Sequence, residues 1–337
     1  MTKAHLIISD PTLRDGNHAV RHQISAEQIE LYCKAADAAG VAIVEVGHGN
    51  GIGASSLQLG ESKTSDSEAL KIARRSLKNS KLGIHVIPGF ATIERDLKPA
   101  LDLGVDVVRV ASHCSEADIC ERHISFSRKA GAHVWGCLMM SHMISPKSLL
   151  EQARKMELYG AEGIVFMDSS GHYLPEDVKE RVELLVNELS IMVGFHGHNN
   201  LGLAVANSVA AADAGASLLD ATSRGFGAGA GNTQLEVLIA VLQRLDYETG
   251  IDLYKILDAA DLAEKFLMTE MPTIKSVSVV SGIAGVFSGF MKPVNRIADE
   301  FKLDPRDIFY ELGKRKIIAG QEDIILEVAK DLSQRAK

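Results

Sequence analysis

No stretch of the 337 residues approaches 18 consecutive apolar positions, so no membrane-spanning helix is expected. Only a short apolar run precedes Asp10, too little for the core of a secretory signal. Cysteine is scarce: Cys33, Cys114, Cys120 and Cys137 form no C-x-x-C pair and no disulfide framework of the small secreted kind, so reduced, mostly buried thiols are expected. Basic blocks are missing as well. Lys+Arg 36 against Asp+Glu 44 leaves a net charge of −8, and no lysine- or arginine-rich run offers a surface that could track nucleic-acid phosphates. With 46% hydrophobic and 24% charged residues the composition is that of an ordinary globular chain, which excludes disorder and collagen. A cytoplasmic enzyme or binding protein remains, long enough to enclose a buried site.

What is present is a recurring unit: a helical segment, a glycine, then a short apolar run ending in polar residues. It occurs around Gly40, Gly104, Gly131, Gly160 and Gly215. Glycine at a helix C-terminus supplies the left-handed turn, and the apolar run suits a strand buried on both faces. With HLIIS (5–9), LGIHVIP (82–88) and IMVGFHGH (191–198) these make eight strands at roughly 25 to 40 residue spacing, which predicts a (β/α)₈ TIM barrel of the α/β class. A doubly wound sheet would carry a glycine-rich dinucleotide turn after its first strand, and here that turn reads DPTLRDGNHAV. Ser25 and Gln28 form a capping box that starts the first helix, and Gly40 stops it. The barrel domain is expected over 1–248, closing near 245, with an α-helical C-terminal extension over 249–337. Inside the extension, SVVSGIAGVFSGFM (278–291) is apolar and rich in small residues, which suits close helix contact with the barrel mouth or with another subunit.

Active sites of such barrels lie at the C-terminal ends of the strands. The polar residues there are Asp10, Arg14, Asp15 and His18; Glu45 and His48; His85; His113; Ser141 and His142; Asp168 and Ser169; His196 and His198. His196-Gly197-His198 is the clearest signal, because strand alternation points both imidazoles to one side. Two nitrogen donors with a carboxylate from Asp15 make a facial metal site with open positions, suited to Mn²⁺ or Mg²⁺, with Co²⁺ or Zn²⁺ as alternatives. The competing reading of H-x-H is a hydrogen-bonded pair. Arg14 could bind a carboxylate or stabilise an enolate oxygen, against a plain Arg-Asp surface pair. His18 is a candidate general base, against a merely solvated loop histidine. No inferred strand carries a lysine, which disfavours Schiff-base chemistry and favours metal-assisted enolate chemistry. The run GFGAGAGN (225–232) has no lysine for a phosphate-binding loop and reads as a close-approach turn.

Together DPTLRDGNHAVRHQ, VEVGHGNG, RVASHC, LMMSHM, HGHNNLGLAVANS, GAGAGN and ELGKRKIIAGQED resemble the 4-hydroxy-2-oxovalerate aldolases, from residue 5 to about 333. These are pyruvate-specific class II aldolases of aromatic hydrocarbon catabolism, within the superfamily of hydroxymethylglutaryl-CoA lyase and isopropylmalate synthase. The resemblance implies a divalent ion, Mn²⁺ above all, held by Asp15, His196 and His198. It further implies an Arg14 that stabilises the pyruvate enolate, a His18 that takes the C4 hydroxyl proton, and a Ser169 that touches the pyruvyl group. It also implies pairing with an acylating aldehyde dehydrogenase subunit, with 278–291 facing that partner; a homodimer is the other use of such a surface.

Two positions depart from the family pattern. Phe287 stands where a tyrosine is usual, and His85, followed by Ile87, stands where the aldehyde pocket usually presents leucine. An aldehyde larger or more polar than acetaldehyde, or relaxed stereocontrol at C4, is the expectation. The alternatives are an acyl-CoA-dependent Claisen synthase or lyase, disfavoured by Asn17 and His18 where glutamine and glutamate are typical, and a weakly active scaffold for a dehydrogenase.

Overall fold

The computed structural model describes residues 5–318 and 320–335. Eight parallel strands close into a barrel in sequence order: β1 (Ile7–Leu13), β2 (Ile43–Val46), β3 (Lys81–Val86), β4 (Val107–His113), β5 (His133–Met139), β6 (Gly163–Asp168), β7 (Met192–Gly197) and β8 (Leu218–Asp220). The crossovers are α1 (Ala26–Ala39), α2 (Asp66–Ser76), α3 (Lys98–Asp102), α4 (Glu121–Lys129), α5 (Pro146–Leu158), α6 (Pro175–Glu188) and α7 (Ala204–Asp213), and α8 (Leu235–Arg244) follows the last strand. The predicted barrel is therefore the observed one. Gly40, Gly104, Gly131, Gly160 and Gly215 all take positive φ, between 85° and 106°, which a side chain would resist. The capping box of Ser25 and Gln28 is formed at the start of α1. β1 runs on past Ser9 through Leu13, with a bulge between Asp10 and Leu13, so Asp10 is a strand residue rather than a loop residue.

Inside the barrel the strands alternate. Ile7, Ile43, Val107, Met192 and Leu218 belong to an apolar interior cluster, to which Ile87, Met139 and Met167 also contribute. Between them, on the same inward face, lie Ser9, Glu45, His85, Arg109, His196 and Asp220, all buried. The outward faces pack on the helices to form the main core.

The helices beyond the barrel are α9 (Leu253–Phe266), α10 (Ser276–Ala284), α11 (Met291–Phe301), α12 (Pro305–Lys314) and α13 (Asp323–Arg335). Ile256, Ala259 and Ala263 of α9 share the barrel's core, and the helix packs on α1 and α8. The last four helices build a second core around Phe290, Val294, Ile308, Phe309, Leu312, Ile325 and Val328. The segment 278–291 is not one continuous helix: α10 stops at Gly285, whose φ is +66°. Its small residues do permit close contact. A Cβ on Gly313 would lie 2.4 Å from the Ala284 carbonyl, and one on Gly282 would press on Asn200 and Leu201 at about 3.1 Å and 3.0 Å. Among the described residues no helix is long and apolar enough to cross a membrane.

Candidate metal centre

The turn Asp15–His18 leaves β1 as a single 3₁₀ turn, pinned by Asn17, whose Nδ2 donates to the Leu13 and Gly47 carbonyls at 3.2 Å and 2.8 Å. This brings Asp15 against β7, where one ligand atom each from Asp15, His196 and His198 lie within 4.8 Å of one another, all three residues buried. Donor chemistry fits a divalent cation. Burial alone would raise the Asp15 carboxyl, but Arg14, then His198, His196 and His18, outweigh it and hold the group well below the usual carboxylate range. Burial draws His198 down to about 4 against the pull of Asp15. An ionised carboxylate beside a neutral imidazole is what a metal site requires. Orientation fits too: His196 donates from Nδ1 to Asp220 Oδ2 at 3.0 Å, which leaves Nε2 as the free lone pair. His198 Nδ1 has no hydrogen-bond partner among the described residues.

The glycine-rich run closes the other side. A Cβ on Gly227 would lie 2.3 Å from Asn232 Nδ2 and 2.8 Å from Asp15 Oδ1, and Asn232 Nδ2 donates to that same oxygen at 3.1 Å. The close approach expected of GFGAGAGN is thus made against a candidate ligand.

Arg14 is buried, with Nη1 on Asp15 Oδ2 at 2.8 Å and Nε on Glu45 Oε1 at 2.5 Å, while Nη2 has no partner among the described residues. A surface Arg-Asp pair is therefore excluded: this is a buried guanidinium with one donor uncommitted. Glu45 is ionised, because Arg14 and Arg109 outweigh its burial and bring it to about 2. His18 sits half-buried on the rim with its ring against Gly49, where a Cβ would lie 2.7 Å away; burial lowers it to about 4, partly offset by Asp15. Lys292 of α11 donates to the His18 carbonyl at 2.9 Å.

The remaining candidates divide by position. Ser169 accepts from the Met140 amide through Oγ at 3.0 Å, and its carbonyl accepts from the Ser288 amide at 3.1 Å, so the loop after β6 is tied to the C-terminal helices. His85 is buried within the barrel near Arg14 and Glu45, its Nδ1 unpartnered among the described residues, and burial pushes it well below its usual value. Ile87 lies at the mouth end of β3 in the interior cluster. Phe287 packs edge-on to Phe290, 5.8 Å between centroids, beside the second core. Other strand-end groups do structural work. Asp168 accepts the His172 and Tyr173 amides, Asp10 binds Thr12 and Tyr32, and Ser141 donates to the Met167 carbonyl. His48 stacks on His22 at 3.6 Å, His113 binds Ser115, and His142 donates to the Gly285 carbonyl at 2.9 Å. Asp220, Arg109 and Asn232 were not singled out in the sequence. A charged residue inside an otherwise apolar strand, as in VVRVASH and SLLDATS, was the available signal for the first two.

Two family models cover the chain: one described as HMGL-like matches residues 5–263, and one described as DmpG-like communication domain matches 272–334. A 4-hydroxy-2-oxovalerate aldolase of Pectobacterium atrosepticum is 63% identical over 330 residues, covering 98% of this chain and 96% of that protein. The enzyme of the same name from Spirochaeta aurantia is 62% identical, covering 98% and 97%. The chain belongs to the 4-hydroxy-2-oxovalerate aldolase family. Among solved structures, the carboxyl transferase domain from Rhizobium etli pyruvate carboxylase with pyruvate and biocytin aligns at a TM-score of 0.81 and 15% identity, over 98% of this chain and 61% of that one, a likeness of fold. Membership agrees with the α/β barrel and with a divalent metal, for which Asp15, His196 and His198 are the candidate ligands, and residues 272–334 match a communication domain.

Proposed function

We propose that the protein cleaves a 4-hydroxy-2-oxo acid of the 4-hydroxy-2-oxovalerate type to pyruvate and an aldehyde, or runs the reverse addition, with a divalent cation held by Asp15, His196 and His198. The observation that carries this reading is the donor triad lying beside a buried guanidinium whose Nη2 is uncommitted. The mixed oxygen and nitrogen donors suit Mn²⁺, with Mg²⁺ and Co²⁺ as the nearest alternatives. When bound, the cation supplies Lewis acidity toward the keto oxygen, worth several kcal/mol of charge stabilisation.

The chain's own groups do the rest. Arg14, locked by Asp15 and Glu45, offers Nη2 to the oxygen that gains charge as the C3–C4 bond electrons move onto the pyruvyl fragment. His18, neutral at pH 7, accepts the C4 hydroxyl proton as the aldehyde carbonyl forms, and the nearby Asp15 carboxylate favours the imidazolium produced. Carbon 3 then takes a proton from water to give pyruvate, and the His18 imidazolium returns its proton to the hydroxide so formed. Ser169 contacts the pyruvyl group. His85, Ile87 and Phe287 shape the aldehyde side, where an imidazole and the lost tyrosine hydroxyl favour an aldehyde larger or more polar than acetaldehyde, or looser stereocontrol.

The C-terminal helices take an acylating aldehyde dehydrogenase subunit as partner. Ile274, Val279 and Ile283 offer it exposed apolar side chains. The division into a catalytic unit over 1–248 and a partner-facing unit over 249–337 places α9 in the second by sequence, though it shares the barrel's core. Four free, buried cysteines suit a cytoplasmic setting.

Cleavage of racemic 4-hydroxy-2-oxovalerate is expected to yield pyruvate and acetaldehyde in equal amounts, with no free thiol released when acetyl-CoA and an oxo acid are offered. Thiol release without cleavage would replace the aldolase by a Claisen-type synthase. Turnover over an aldehyde series tests the pocket: strong preference for acetaldehyde with tight C4 stereocontrol would contradict the role given to His85 and Phe287.

A further inference from the structure

Arg109 lies at the middle of β4 with no exposed surface, and its guanidinium spans the barrel. Nη1 donates to Glu45 Oε2 at 3.1 Å and Nη2 to Asp220 Oδ2 at 2.5 Å. Each of those carboxylates has a second partner at the candidate active site. Glu45 accepts from Arg14 Nε, and Asp220 accepts from His196 Nδ1 through the same Oδ2 that Arg109 holds. Arg14 in turn pairs with Asp15 at 2.8 Å. The result is a ring of alternating hydrogen-bond acceptors and donors, Asp15, Arg14, Glu45, Arg109, Asp220 and His196, closed where His196 and Asp15 meet in the donor triad.

The chemistry of the link selects arginine. Only a planar fork can place separate nitrogens on two carboxylates across a barrel interior; an ammonium is a single point. Stability alone does not account for it, because a buried ion pair is often no better than well-packed apolar residues, and the same interior packs Val107 and Val165. Among the described residues Asp220 Oδ1 has no partner, and only His196 and Arg109 hold that carboxylate. Removing the guanidinium would leave Asp220 free to turn away from His196, and Glu45 free to turn away from Arg14.

We propose that Arg109 is a positioning residue for both halves of the site: it holds Asp220 against His196 on one arm and Glu45 against Arg14 on the other, setting cation affinity and enolate stabilisation together. The inference rests on the roles proposed above for His196 and Arg14.

The test compares full-length wild type with Arg109→Lys, Asp220→Asn and Glu45→Gln. It reads the Mn²⁺ dissociation constant by calorimetry on metal-stripped protein, and kcat and KM at saturating Mn²⁺. Asp220→Asn is expected to weaken Mn²⁺ binding about 10- to 100-fold with little change in kcat once metal saturates. Glu45→Gln is expected to leave Mn²⁺ affinity nearly unchanged and lower kcat about 10²-fold. Arg109→Lys, which cannot reach both carboxylates, is expected to show both losses. Arg109→Lys with wild-type affinity and wild-type kcat, or with only a lowered melting temperature, overturns the proposal. Should that variant not fold, the two arms decide: Asp220→Asn and Glu45→Gln moving affinity and kcat alike, or neither moving either, overturns it as well. His198→Ala identifies which layer has failed. If it binds Mn²⁺ and cleaves like wild type, the metal reading falls and takes the Arg109 role with it; if it loses both while Arg109→Lys is normal, only the Arg109 role falls.

Discussion

Gly227 and Asp15 meet across the space a side chain would need: a Cβ on Gly227 would stand 2.8 Å from Asp15 Oδ1. The glycine-rich loop after β8 therefore shapes the candidate metal centre directly, by letting Asn232 reach the same carboxylate oxygen at 3.1 Å.

Replacing Gly227 by alanine is expected to push Asn232 and Asp15 apart and weaken Mn²⁺ binding about 10-fold or more. Overpacking of this kind also costs ~1–3 kcal/mol of stability. Calorimetric titration of metal-stripped protein and a thermal melt check the two parts, and wild-type affinity in Gly227→Ala would show that the loop does not press on the ligand.

His18, proposed above as the base, is no part of the donor triad. His18→Ala is expected to lower kcat about 10²- to 10⁴-fold while leaving Mn²⁺ affinity unchanged. Loss of metal binding in that variant, or a kcat within a few-fold of wild type, would remove it from the base role.

The barrel was legible because its signal is local. Each glycine that ends a helix and each apolar run that follows is specified by neighbouring residues, as at Gly40, Gly104 and Gly215. Asp15, His196 and His198 were legible for the same reason, through H-x-H on a strand and a carboxylate after the first strand. Arg109 and Asp220 were not, because their partners are 64 and 24 residues away in sequence, at Glu45 and His196, and only barrel closure brings them together. His85 shows the same limit: its identity marks a departure from the family, but its burial beside Arg14 and Glu45 comes from strand register, in which it pairs with Arg109.

Burial holds several histidines neutral in the folded protein. It lowers His18 and His198 to about 4 and His22 to about 3, and holds His85 well below its usual value. In the unfolded chain these groups protonate near pH ~6.5. Between about pH 6.5 and 4 the unfolded chain binds more protons than the native one, so stability falls as pH falls through this window. Asp10, raised by burial to about 6, and Asp66, also raised by burial, act in the opposite sense, but they are outnumbered by the histidines, since burial lowers His48, His113 and His142 as well. The melting temperature of metal-stripped protein is expected to drop steadily from pH 7 to pH 5. A flat or rising profile would contradict the neutral, buried state of these imidazoles.

The most direct test of the account is pyruvate release from racemic 4-hydroxy-2-oxovalerate, followed through a lactate dehydrogenase couple, for wild type and His198→Ala with Mn²⁺ and after chelation. The account predicts release that requires Mn²⁺, stops on chelation and is lost in His198→Ala. Release that persists in metal-stripped enzyme, or survives undiminished in His198→Ala, would contradict it.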